Sequence, residues 1–443
     1  MQLKKAQRLD ARMDPRDGRG LDRREFVKAA VAIGGASALS ACTERLGTDR
    51  EIPEGGDPAA LPARQHAWDE FLPRDDHGNH VMARHHVLRY LDYAGDGTPT
   101  DAEREQVETA LRSLERAYEF SNDGLLFTVG YSPSYFDRYD DPLPDSVGLP
   151  APAPMSSFED PTFDEQDVVV HLASDHGDVL LEAEEALLGE RTSANDVEFD
   201  ATFDGVLDPD DRRTGFFGKG LPAEKHAEED VDGIPDDVDV PEDAPLFMGF
   251  KSGFEKNQAS EDRVTIQSGP FAGGTTQHVS KIRLRLDDWY GEQDYDDRVA
   301  EIFCPAHAEN DVVEGAGENL GDSSQVAENG CPAHVDESAQ EHGRVGHAQK
   351  TARAREDDTP IILRRDFDST DGGEAGLHFL AVQRSIEDFR KTREAMNGTD
   401  ATENPAIRQR VNNGILEYTF VRRRGNFLLP PRQHRALPTP RPE

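Results

Sequence analysis

An α+β fold built from two ferredoxin-like (split βαβ) halves is the architecture this sequence predicts. Strand-type and helix-type segments follow one another as β-α-β-β-α over 84–188. A second series of strand-type and helix-type segments runs from 246 to 396. Between and within these series, 207–244 and 308–340 are dominated by Asp, Glu, Gly and Pro, the composition of surface connections.

The first strand is expected at 84–93 (RHHVLRYLDY), where β-branched, aromatic and apolar residues mix. Helical spacing follows over 100–118, with Val107, Leu111, Leu114 and Ala117 on one face. Thr100 suits its N-cap, and Asp101, Glu103 and Glu105 suit the positive end of its dipole. Two strongly apolar strands come next, at 124–131 (GLLFTVGY) and 167–173 (DVVVHLA), then a helix at 178–188. In the second half, 246–250 opens the pattern. Residues 275–286 (TTQHVSKIRLRL) alternate over Val279, Ile282, Leu284 and Leu286 with one slip, which reads as a bulge. Residues 287–302 are helix-like, 361–364 and 376–382 are strands, and 386–396 is a helix. The expected division is therefore a signal peptide at 1–41, a tether at 42–63, an N-terminal half at 64–206 and an acidic connection at 207–244. The C-terminal half follows at 245–435 with its acidic insert at 308–340, and a tail ends the chain at 436–443.

The 443 residues carry 88 acidic and 49 basic side chains, a formal net charge of −39. Such a surface excludes nucleic acid as a partner and opposes binding to anionic lipid. Carboxylates spread over the whole chain, with lysine scarce beside arginine, resemble the shell of a salt-in, haloarchaeal protein. In concentrated salt the Debye length falls to ~3 Å, so this charge repels little.

The N-terminus reads as an address. Arg23 and Arg24 precede a short Gly- and Ala-rich apolar stretch at 29–41. That stretch is too short for a span of ~20 apolar residues and fits a twin-arginine signal, the route that exports folded proteins. Leu39-Ser40-Ala41-Cys42 resembles a lipobox, so Cys42 is the expected lipidation site. The mature chain is expected at the cell surface, lipid-anchored to the outer face of the cytoplasmic membrane and touching the membrane by that anchor only.

Several blocks then fall in a telling order: GLLFTVGYSPSYFDR at 124–138, DVVVHLASD at 167–175, MGFKSG at 248–253 and GTTQHVSKIRLRLDDW at 274–289. HAQKTARAR at 347–355, IILRRDF at 361–367, GLHFLAVQRSIEDF at 376–389 and LEYTFVRRRGNFLLPP at 416–431 complete it. Together they resemble the dye-decolourising (DyP-type) haem peroxidases over most of the mature chain. The resemblance implies two ferredoxin-like halves in a dimeric α+β barrel-like fold, with haem b in the C-terminal half. It implies hydrogen peroxide and an unknown electron donor as partners, and leaves a homo-oligomer open. His347 matches the proximal haem ligand, with Arg353 and Arg355 downstream in the usual place and His342 as a nearby competitor. Arg364, rather than Arg365, matches the distal arginine, whose guanidinium stabilises charge on a breaking O–O bond.

Two departures from the family pattern bear on activity. The family's Gly-x-x-Asp-Gly motif is degenerate here, with Ser252 at the acid's position. A hydroxyl can hold water or peroxide but is no useful base near neutral pH; Glu255 is the nearest acid in sequence. Ser385 stands where an acid often polarises the proximal side. An oxidoreductase acting on hydrogen peroxide and a catalytically degenerate relative that handles haem or iron, or binds a partner, therefore both stay open. Cys304 and Cys331 lie in identical Cys-Pro-Ala-His words with His307 and His334. A disulfide between the two cysteines is expected outside the cell, with a Cys2His2 metal site as its rival.

Overall fold

The structure, a computed structural model, describes residues 51–228, 231–234 and 240–443. The twin arginines, the apolar stretch and Cys42 lie outside the described residues. In the first half β1 (His85–Tyr93), β2 (Leu126–Tyr131), β3 (Val168–Ser174) and β4 (Leu207–Phe216) form an antiparallel sheet in the order β4-β1-β3-β2. Helices α1 (Asp101–Ala117) and α2 (Gly177–Leu187) are its crossovers. The Thr100 side chain accepts from Glu103 N while Glu103 reaches back to Thr100, so a capping box starts α1 where the sequence places a cap.

The second half repeats the scheme with β5 (Thr275–Leu284), β6 (Leu363–Arg364), β7 (Phe367–Ser369), β8 (Gly376–Gln383) and β9 (Thr419–Leu429). Here β7-β8-β5-β9 are neighbours, and β6 also pairs with β8. Its helices include α3 (Tyr295–Ile302), α4 (His347–Thr351) and α5 (Ile386–Asn397). The two sheets meet at two narrow seams, Leu428 opposite Tyr131 and Asp368 opposite Phe216, so the ladder closes into an antiparallel barrel.

Strand alternation then sorts the side chains. Leu88, Tyr90, Val169, Val279, Phe367, Leu380 and Phe427 fill the barrel interior. On the outer face of the first sheet, Val87, Phe127, Val170 and Leu172 pack beneath α1 and α2. The outer face of the second sheet is different: Ile282, Leu284, Leu377 and Phe379 border a cavity.

Some expectations change. Residues 207–216 are not connection but β4. Pro209 and three aspartates disguise it, and the register shifts between Arg89 and Leu91, where a bulge takes up the proline. Arg213, buried at 1% exposure, anchors this strand by a fork onto Asp164 at 2.8 and 2.6 Å and a bond to Tyr90 Oη at 2.9 Å. The slip over 275–286 is not an extra residue in β5: β5 pairs with β8 without interruption, Val279 facing inward and Ile282 and Leu284 outward. The register shift on its other edge lies in β9 between Val421 and Arg423, opposite Ile282 and Lys281. Leu286 already belongs to a short helix, Leu286–Gly291, which is separate from α3. Residues 246–250 turn rather than extend.

Buried ion pairs tie distant segments together. Arg432 and Arg435 from the chain's end both meet Glu115 of α1, whose side chain is 1% exposed; Arg435 Nη2 lies 3.0 Å from Glu115 Oε2. Glu159 of the first half joins Arg424 of β9, with Nη2 at 2.7 Å, and Arg393 of α5. Burial opposes ionisation of Glu159, but Arg424 and Arg393 outweigh it and hold its carboxyl down to about 2.

Glu115→Ala takes the carboxylate from buried Arg432 and leaves Arg435 only Glu108, so denaturant unfolding should show a loss of about 3–5 kcal/mol; a loss below about 1 kcal/mol would contradict the clamp. Glu159 has a folded pKa below its ordinary 4.5, so its stabilisation is present above that value and is lost as pH falls toward about 2. The melting temperature of Glu159→Gln should lack that acid-limb decline, and parallel acid limbs in the two proteins would refute the assignment.

Candidate functional site

The cavity measures about 270 Å³ and lies between the outer face of the second sheet, α4, α5 and the insert that follows α3. Its lining is mostly aliphatic and aromatic, and a few polar side chains reach into it from separate elements. His347, the first residue of α4, is one of them. Gly346 sets its position, since a Cβ there would stand 2.0 Å from the Phe303 carbonyl oxygen, and only glycine lets the helix dock so closely. Gln349 then accepts from Gly346 N at 3.0 Å through its side chain and donates its own amide to Phe303 O at 3.0 Å. Lys350 fixes the far side of α4, its Nζ donating to Met396 O at 2.8 Å and Asn413 O at 2.9 Å. Burial pushes the Lys350 ammonium down to about 7 against the pull of Glu301.

Burial, reinforced by Lys350, Arg364 and Arg393, pushes His347 down to about 3, so its imidazole is neutral near pH 7. Its Nδ1 is buried with no hydrogen-bond partner. Ser385, read as the weakened proximal partner, instead caps α5 by accepting from Glu387 N at 3.3 Å. His342 faces Glu309 at 3.5 Å and does not line the cavity. Of the two arginines that follow His347, Arg353 pairs with Asp400, Nη2 to Oδ1 at 3.1 Å, while Arg355 lines the cavity.

Arg364 and Ser252 line the same cavity as His347. Arg365 points the other way, onto Glu261 at 3.1 Å and over the Trp68 ring. Ser252 sits on the turn closed by Gly253, whose φ of +77° is one that side chains disfavour. Glu255 does not reach the cavity and pairs at the surface with His80, 2.9 Å away.

The acid in the cavity is one the motif comparison passes over. Arg364, Asp366 and Asp368 all line it, whereas Arg365 and Phe367 face away, the alternation of an extended segment. Among the described residues no side chain bonds the Asp366 carboxylate. Burial raises its pKa, and Arg364 opposes the rise. Burial raises Asp368 well above the ordinary range, against the amide of Phe247. Around these acids stand Lys251, Arg355, Arg364, Arg393 and Arg424, five cations in a chain of net charge −39.

The residues fit a haem. An apolar slot, a neutral imidazole with an orphaned nitrogen and a ring of cations suit a flat apolar ligand that bears carboxylates and needs an axial donor. Outside the cavity wall, Cys304 and Cys331 are joined as a disulfide, with His307 beside them and His334 turned to Glu337.

Solved structures of similar fold include a dye-decolorizing protein from V. cholerae, at 14% identity and TM-score 0.52, covering 83% of this chain and 98% of that one. The encapsulated DyP-type peroxidase from Mycobacterium smegmatis matches at 15% identity and TM-score 0.51, covering 84% and 100%. A DyP-type peroxidase from Cellulomonas bogoriensis matches at 19% and 0.50, covering 79% and 90%. At these identities the likeness is one of fold, and it gives the chain a peroxidase-like α+β barrel. No curated protein matches the sequence. The model of the Family of unknown function (DUF7405) matches residues 83–431. That span takes in both sheets and every residue placed in the cavity, and the chain belongs to this family of unknown function, DUF7405.

Proposed function

We propose that this protein binds haem b in the cavity of its second half and reduces hydrogen peroxide there, at the expense of an electron donor whose identity is open. The observation that carries the reading is His347: a neutral imidazole, buried at Nδ1 without a partner, lining an apolar cavity ringed by cations. Haem, when bound, supplies the redox-active iron at which peroxide is reduced. His347 would hold its iron, and Arg355 and Lys251, which line the same cavity, would meet its carboxylates. The Arg364 guanidinium, which no ion pair engages among the described residues, would hold negative charge developing on a peroxide oxygen.

Asp366 takes the part that the motif leaves vacant at Ser252. Its carboxylate would accept the proton of one peroxide oxygen and return it to the other, which leaves as water. A carboxyl whose pKa burial raises, against the pull of Arg364, suits that exchange. Ser252 would hold water or peroxide by its hydroxyl. A second reading, a haem carrier, is favoured by Ser385, which stands where an acid would polarise the proximal side and instead caps α5 on Glu387 N. For localisation we propose twin-arginine export and a lipid anchor at Cys42, on the motifs of the N-terminus.

Reconstituted with haem, the native chain should show a Soret band that His347→Ala loses or shifts; an unchanged band would remove His347 as ligand. Asp366→Asn should keep the band and lower the rate of peroxide consumption by ~10²–10⁴-fold. A native rate no higher than that of free haem would instead establish the carrier. Cys42→Ser should move the protein from the membrane fraction to the soluble one, and continued membrane retention would refute the anchor.

A further inference from the structure

Cys304, His307 and Cys331 form a cluster of their own, 1%, 0% and 3% exposed. One donor atom from each lies within 4.8 Å of the others. His307 Nδ1 is 3.1 Å from Cys304 Sγ and 3.6 Å from Cys331 Sγ, and its Nε2 is 3.1 Å from the carbonyl oxygen of Ser324. A carbonyl only accepts, so Nε2 carries the proton and donates it. Nδ1 is then bare, with its lone pair turned toward the two sulfurs. In the disulfide neither sulfur has a proton to give, and this buried acceptor goes unmet. What satisfies it is a thiol proton or a metal ion.

We propose that Cys304, His307 and Cys331 make a zinc site that opens when their disulfide is reduced. A dithiol reductant supplies two electrons and two protons: the S–S bond breaks, two thiols form, and the reductant becomes a disulfide. Zn²⁺ then releases both thiol protons to solvent and binds two thiolates and one neutral imidazole. Two negative sulfurs and one divalent ion sum to zero, which a buried site requires. His334 repeats the Cys-Pro-Ala-His word but stays out, paired with Glu337 on a side chain 55% exposed. No further His, Cys, Asp or Glu joins the cluster among the described residues, so water completes the tetrahedron.

The site is mechanically tied to α4. Gln349 Nε2 donates to Cys331 O at 2.9 Å, and Ala348 packs against the cluster that Cys304 and Cys331 form with Val326. The state of the sulfurs is thus felt one residue from His347, yet the zinc proposal stands without the haem reading.

The test uses the full chain, reduced with a phosphine in the absence of air and titrated with Co²⁺ and then Zn²⁺. The reduced protein should take one ion per chain, with a thiolate-to-cobalt charge-transfer band that Zn²⁺ abolishes, and the air-oxidised protein should take none. His307→Ala should still form the disulfide in air, yet after reduction bind Zn²⁺ at least about tenfold more weakly. The proposal is overturned if the folded, reduced chain shows no charge-transfer band or if His307→Ala binds as tightly as the native protein. It is equally overturned if circular dichroism shows that reduction unfolds the chain, since the disulfide is then a structural bond only.

Discussion

The closed hydrogen-bond ladder is the constraint on which the rest of this molecule depends. Neither half can bury both faces of a four-stranded sheet alone, and joining them leaves every main strand paired on both sides. The seams are narrow, one registered pair at Tyr131–Leu428 and one at Phe216–Asp368. Side-chain clamps supply what the seams lack, with Arg213–Asp164 across the first half and Glu159–Arg424 between the halves. Once the barrel is closed, alternation dictates the remainder. The first sheet turns its outer face to α1 and α2, and the second turns Ile282, Leu284, Leu377 and Phe379 to an open slot.

That slot inverts the electrostatics of the exterior. The chain carries a net charge of −39, yet five cationic side chains converge on one cavity. Their charge is partly neutralised from behind: Glu159 pairs with Arg393 and Arg424, and Asp75 with Lys251 at 2.7 Å. Arg364 and Arg355 are left without such a carboxylate partner among the described residues. A cation unpaired in a mostly apolar cavity is costly unless a ligand brings opposite charge, so an anionic group in the cavity would relieve that cost.

Much of the fold was legible because it rests on periodicity. The run VVVHLA, the capped helix after Thr100 and the alternation through Val279 each report a local rule, and the structure keeps them. What escaped is what tertiary contacts decide. LDPDDRRTGF has the composition of a loop and becomes β4 because β1 is there to pair with it and Asp164 is there to meet Arg213. The acidic insert reads as solvent-facing, yet Leu320, Val326 and Cys331 are buried within it. His347, Arg364 and Ser252 came from separate blocks of sequence and line one cavity. Asp366 needed one further step, since the alternation that separates Arg364 from Arg365 also returns residue 366 to the side of Arg364.

That step changes what the serine in the motif means. A proton carrier need not sit on the Met248–Gly253 turn; it needs a carboxyl within reach of Arg364, buried enough to hold a proton loosely. Moving the acid from the turn to the strand segment puts it two residues from the arginine, so one extended backbone positions both groups. On that reading the turn need not carry the acid, and Ser252 stands there beside Lys251, which Asp75 pairs at 2.7 Å. The same segment continues to Asp368, whose carboxylate takes the Phe247 amide and ties the strand to the residue preceding that turn. Strand and turn are therefore linked through Asp368, and it is on this link that the proposed joint role of the serine and Asp366 rests.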